Sequence, residues 1–158
     1  MKVIVIGTGI AGVSAAYHLA KNNVDVIMID KKQAGKATTA GAGIVCPWIR
    51  DIENETWYRL ARKAFADYAE LISSLKKDGE NEVGYKKVGA IRVSTDPEKL
   101  DEIEKRLKNL WERTPEIGDI LRLNSAQARE VFPPLNENME AVYVSVVEVI
   151  CKIWQSIG

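Results

Sequence analysis

The first residues able to do chemistry offer backbone rather than side chains. Gly7, Gly9 and Gly12 form a Gly-x-Gly-x-x-Gly turn directly after the apolar run Val3-Ile4-Val5-Ile6. At that spacing the first glycine permits a tight turn and the second lets the backbone approach a pyrophosphate. The third allows the following helix to pack closely on the strand. The unpaired N–H groups at the start of that helix, with its dipole, can hold phosphate. A second apolar run, Val24 to Ile29, ends at Asp30. That acid falls near the usual spacing of about 20 residues, where a carboxylate can accept hydrogen bonds from a ribose hydroxyl. The parts occur in the right order, with small Ala16 on the helix between the strands. The reading is a dinucleotide site.

The elements that must position these residues follow from periodicity. A strand at 3–6, a helix at about 10–21 and a strand at 24–29 make a βαβ unit. A loop of small residues, Ala34 to Gly43, follows and leads into Ile44-Val45 and Cys46-Pro47-Trp48. From Thr56 to about Lys77, Trp57, Leu60, Ala61, Ala64, Phe65, Tyr68, Leu71, Ile72 and Leu75 recur at helical spacing. We read them as a core-facing stripe, with Thr56 or Asn54 as cap and Asp78-Gly79 as stop. Val83–Lys86 and Val88–Val93 read as a hairpin or a crossing into a second sheet. Thr95-Asp96-Pro97-Glu98 starts a helix that carries Leu100, Ile103, Leu107, Leu110 and Trp111 inward. Ile120–Leu123 is a short strand, Asn124-Ser125 caps a brief helix ending before Pro133, and 140–149 is another strand.

Composition narrows the classes. The 158 residues carry 22 Lys plus Arg and 22 Asp plus Glu, a net charge of zero. That balance argues against a nucleic-acid partner. Cys46 and Cys151 are far apart and lack ligand-spaced neighbours, which argues against a metal site or disulfide framework and suits a cytoplasmic setting. No run approaches the ~20 apolar residues of a membrane span.

Beyond the second strand the β-α alternation of an NAD(P)-dependent dehydrogenase does not continue. At this point the chain resembles the FAD-dependent amino acid and amine oxidoreductases, including glycine oxidase, sarcosine oxidase, D-amino acid oxidase and D-amino acid dehydrogenase. The resemblance is carried by VIVIGTGIAGVSAAYHLA with VDVIMID, by KATTAGAGIV, and more weakly by YKKVGAIRVS and LNSAQAREVFPPL. It implies an α/β fold: a Rossmann-like FAD-binding βαβ domain, truncated, with the beginning of an α+β substrate domain. The corresponding segments are 1–80, 81–145 and an atypical tail at 146–158. It implies FAD as cofactor, bound along Gly7, Thr8, Gly9, Ile10, Ala11 and Gly12. Asp30 would hold the adenosine ribose, with Lys31 and Lys32 near the adenine end. Thr38 or Thr39 would donate to the phosphates, and Gly43 and Ile44 would back the ribitol or flavin.

The implied activity is oxidative deamination of D-amino acids, glycine or related amines. Family members are longer than this chain, and after Ser145 the sequence departs from their pattern. The expectation is therefore an N-terminal piece whose catalysis needs further polypeptide, as a partner chain or oligomer. The alternatives are an NAD(P)-dependent dehydrogenase domain, or a non-catalytic nucleotide-binding fragment or subunit. No catalytic residue is assigned. Arg50, Arg92 and Tyr85 qualify by type only, and His18 and Cys46 read as structural. Lys36 and Lys63 read as solvated.

Overall fold

A computed structural model describes residues 1–31 and 35–150, of which Ile150 is described in backbone only. The contacts divide these residues into two units, Met1–Gly43 and Ile44–Ile150.

The first unit is the βαβ element. Strand β1 (Lys2–Ile6) and strand β2 (Asp25–Ile29) pair in parallel, with Lys2 opposite Asp25 and Ile6 opposite Ile29. Helix α1 (Ile10–Lys21) connects them and buries Ala16. Asn23, at φ 58°, turns the chain back toward β2. Such left-handed geometry suits Asn better than most residues. The small-residue loop is not wholly irregular. It carries one helical turn, α2 (Ala37–Ala40), begun by Lys36 and closed by Gly41.

The second unit is built on one long strand. Strand β6 (Glu140–Ile150) pairs antiparallel with β4 (Tyr85–Ser94), with β5 (Ile120–Leu123) and with the two-residue β3 (Ile44–Val45). Helices α3 (Glu55–Lys77) and α4 (Pro97–Trp111) add Tyr58, Phe65, Leu100, Leu107 and Leu110 to a core closed by Trp48, Ile117, Val142, Val144 and Val147. A smaller cluster of Leu123, Ala128 and Ala141 seats α5 (Ser125–Val131). This antiparallel sheet is not the continued β-α alternation of a nicotinamide domain.

Three expectations need correction. Of the two readings of Val83–Lys86 and Val88–Val93 the hairpin fails and the crossing into a second sheet holds: β4 runs as one strand from Tyr85 to Ser94, with a register shift between Val88 and Ala90. Gly89 sits at this shift, where a Cβ would stand 2.2 Å from Cε2 of Tyr143. Only glycine leaves room for that ring against the strand.

On α3 the buried line runs through Tyr58, Phe65 and Ile72, while Trp57 and Leu60 are 55% and 69% exposed. Tyr58 wins the inward place because its hydroxyl meets Thr114 Oγ1 at 2.8 Å while its ring is buried. Trp111, expected inward on α4, is also half-exposed. Within the expected start, Asp96 caps α4: its carboxylate accepts from the Glu98 N–H at 3.0 Å, with Pro97 in the first turn. Asn54 caps α3, and Asn124 with Gln127 forms a reciprocal capping box on α5.

Candidate dinucleotide site

The glycine turn is held by the strand pair itself. Gly7 N–H donates to the Ile29 carbonyl at 2.7 Å, carrying the sheet bonding one step past β1, and Gly7 then adopts φ +99°. A Cβ at residue 12 would stand 1.9 Å from the Gly7 carbonyl oxygen and 3.4 Å from Val5 Cγ1. Helix α1 can therefore begin against the turn only because residue 12 has no side chain. At Gly9, the residue preceding the helix, a Cβ would meet nothing nearer than Thr38 Oγ1 at 3.3 Å, and at Gly7 nothing within 4 Å. The turn is open above the backbone, the shape a diphosphate requires.

No side chain of Gly9 caps α1, and the first turn holds no acid. Apart from the Ile10 N–H, which Thr38 takes, the N–H groups of the first turn therefore keep their capacity for an anion. Thr38 reaches this end from α2: its Oγ1 accepts from the Ile10 N–H at 3.0 Å. Thr39 turns away, donating to the Lys36 carbonyl at 2.7 Å. Of the two threonines offered by the sequence, Thr38 is the one at the helix end.

Asp30 follows β2 and is tied to the glycine turn. Thr8 Oγ1 donates to Asp30 Oδ2 at 2.6 Å, and the Lys36 ammonium bonds the same oxygen. Lys36 is thus not a solvated lysine, contrary to the sequence reading. The only hint in sequence is that it is the one charged residue between Gly35 and Gly43. The hydrogen bond from Lys36, then that from Thr8, holds the Asp30 carboxyl at about 2.

The folded pKa lies below the unfolded value of ~3.9, so this pairing stabilises the fold fully above about pH 4 and is lost as pH falls toward 2. A carboxyl-detected NMR titration should place the Asp30 midpoint near 2. In Lys36→Gln it should move up toward about 3.9. A midpoint unchanged by that substitution contradicts the pairing.

Along the turn from Gly7 to Gly12, Thr8 is thus bonded to Asp30 and Ile10 to Thr38, a bonded cluster about Gly9, and Ala11 lies beside them in the first turn of α1. Lys31 is exposed, and Lys32 lies outside the described residues. Gly43, at φ +67°, ends the first unit, and Ile44 belongs to β3 of the second, 62% exposed. These two are not part of the bonded cluster.

Two of the three side chains suggested by type for substrate binding, Arg92 and Tyr85 but not Arg50, have structural duties. Arg92 donates to the Ile49 carbonyl at 2.9 Å, and Tyr85 donates to buried Glu148 at 2.6 Å. His18 is exposed on α1, edge-on to Tyr17. Cys46 is a free thiol packed on the core, and burial raises its pKa. Arg106 was missed by sequence reasoning. Its guanidinium donates to the carbonyls of Trp48, Ile49 and Arg50 and pairs with Asp51, fixing the loop after β3. Among the described residues no group of His, Cys, Asp and Glu is placed to hold a metal ion. No helix there is long and apolar enough to cross a membrane.

A parallel strand pair, a glycine turn at a helix start and an acid after the second strand define the dinucleotide-binding βαβ class. The profile of one family, FAD dependent oxidoreductase, matches residues 2–148, and the chain belongs to that family. It is 49% identical over 142 residues to the uncharacterized oxidoreductase YurR of Bacillus subtilis, covering 90% of this chain and 38% of that protein. Its fold is similar to iminodiacetate oxidase from Chelativorans sp. BNC1 (TM-score 0.88, 41% identity), covering 95% of this chain and 40% of the other. Glycine oxidase from Bacillus cereus is similar at TM-score 0.76 and 26% identity, covering 97% and 40%. The chain thus spans about two-fifths of the length of these relatives. The family assignment and the α/β fold agree with the sequence resemblance, and FAD is the cofactor of this family.

Proposed function

We propose that this chain supplies the FAD site of an oxidoreductase acting on small amines, with glycine or N-carboxymethyl amines as substrates. The observation that carries the reading is the bonded cluster of the first unit. It joins an open glycine turn, a helix end free of acids and an ionised aspartate one hydrogen bond from the turn. Gly7, Thr8, Gly9, Ile10, Ala11 and Gly12 would surround the diphosphate. Thr38, whose oxygen already accepts from Ile10, would turn its own O–H to a phosphate oxygen. Asp30 would accept from the ribose hydroxyls. Lys31 and Lys32 would flank the adenine, and Gly43 and Ile44 would follow along the ribitol and flavin.

Bound FAD would supply the acceptor for the hydride on the carbon bearing the amine. The protein's share is to hold that carbon and the substrate carboxylate in place. Arg92 and Tyr85 receive no part in that task, since their polar atoms serve Ile49 and Glu148. The substrate-holding groups are assigned instead to polypeptide equivalent to the remainder of the longer relatives, in the same chain or in a partner.

The substrate preference rests on glycine oxidase and iminodiacetate oxidase, whose names give substrates that share a carboxymethyl group on nitrogen. A D-amino acid is the competing substrate class. A cytoplasmic setting belongs to the same reading, supported by the unpaired Cys46.

The test is a spectrum of the protein loaded with FAD under anaerobic conditions, before and after glycine, iminodiacetate or D-alanine. Bleaching of the flavin band by the first two supports the reading, with or without the complementary segment of YurR added. Bleaching by D-alanine alone moves the substrate class. Loss of the band on desalting removes the cofactor assignment.

A further inference from the structure

We propose that Lys36 is a charge-compensating residue of the dinucleotide site, cancelling the Asp30 carboxylate so that one small site can hold both a ribose and a diphosphate. The proposal rests on the dinucleotide reading above and deepens it.

Those two ligand groups make opposing demands. A ribose hydroxyl is held best by an ionised acceptor. A diphosphate is repelled by the same charge. Here the two subsites are separated by one side chain: Thr8 lies within the glycine turn and its hydroxyl donates to Asp30.

The helix end offers roughly half a positive charge, less than the full negative charge of the carboxylate. The first turn of α1 contains no cation to make up the difference, since its residues are Ile10, Ala11, Gly12 and Val13. Lys36 makes it up. Its side chain is 34% exposed and that of Asp30 is 24% exposed, so solvent only partly screens the pair. Lys31, next to Asp30, is exposed and more heavily screened.

Two details fit this role. Lys36 and Thr8 share Oδ2, which leaves Oδ1 for the ribose. The turn that begins at Lys36 also carries Thr38 to Ile10, so one segment delivers a cation to the acid and a hydroxyl to the helix end.

The test is calorimetric titration of ADP into the wild-type chain, Lys36→Gln and Lys36→Arg, at low salt and near 0.5 M salt. At low salt Lys36→Gln should weaken ADP binding about tenfold. Near 0.5 M the Debye length falls well below ~10 Å, and the loss should narrow to about threefold or less. Lys36→Arg should bind within about twofold of wild type, because it restores the charge. Equal ADP affinity in wild type and Lys36→Gln overturns the proposal. An equal loss at both salt concentrations also overturns it, because the lysine would then only be shaping the loop. Failure of folded wild-type protein to bind ADP at all overturns the dinucleotide reading itself.

Discussion

Replacing Gly12 by alanine should abolish nucleotide binding, with ADP or FAD affinity falling at least about a hundredfold. One methyl group is enough because of where it would go: 1.9 Å from the Gly7 carbonyl oxygen, well inside van der Waals contact. Neither neighbour can yield cheaply. Gly7 is bonded to Ile29 at 2.7 Å, and Val5 behind it is part of β1. The start of α1 must therefore shift away from the strand, and with it the N–H groups that meet the phosphates. A misplacement of about 1 Å can cost on the order of a hundredfold where groups must converge on one ligand. Calorimetry with ADP and far-UV circular dichroism check this together. Lost binding with little lost helicity is the expected pair, since the second unit keeps its own core. Alanine at residue 12 with wild-type affinity contradicts the placement of the turn.

The second large effect concerns stability. Trp48→Ala should cost about 4 kcal/mol, within the 3–5 kcal/mol usual for deleting a buried large aromatic. Trp48 is fully buried, stacks edge-on to Phe65 with ring centroids 4.5 Å apart, and donates from Nε1 to the Val146 carbonyl at 3.2 Å. Its removal opens a cavity and leaves that carbonyl without this donor. It also loosens the loop that Arg106 and Arg92 hold by its carbonyls. Domains of this size have only about 5–15 kcal/mol in total, so the second unit should be near unfolding at physiological temperature. Chemical denaturation of the wild type and variant measures the difference. A loss below about 1 kcal/mol would mean that the ring is not part of the core. Trp48→Phe keeps most of the apolar packing and should cost markedly less.

In both units, what is set locally is legible in the sequence and what is set by distant contacts is not. The βαβ unit was legible because each of its parts is local: an apolar strand, glycines at fixed spacing, a helix and an acid after the next strand. Backbone constraint makes such a pattern hard to realise in any other way. The phase of α3 was not legible, since Trp57 and Tyr58 compete for the inward place. The deciding contact, with Thr114, is far away in sequence. The place of Gly89 within its strand is set by the Tyr143 ring across the sheet, which local pattern does not show. Lys36 reads as solvated in sequence for a related reason. Nothing in its local spacing points to Asp30, and only the helical turn of α2 brings it there. The loop clamp made by Arg106 depends on a helix and a distant loop meeting, which no periodicity encodes. Local geometry reached the glycine turn, whereas the groups that tune its charge depended on tertiary contacts.

The central claim is that the glycine turn, Asp30 and Thr38 together hold the adenosine diphosphate part of FAD. It is tested most directly by titrating ADP into the purified chain by calorimetry, alongside Gly12→Ala. A single saturable site in wild type, displaced by FAD and absent from Gly12→Ala, is the predicted result. A folded wild-type chain that takes up neither ADP nor FAD contradicts it.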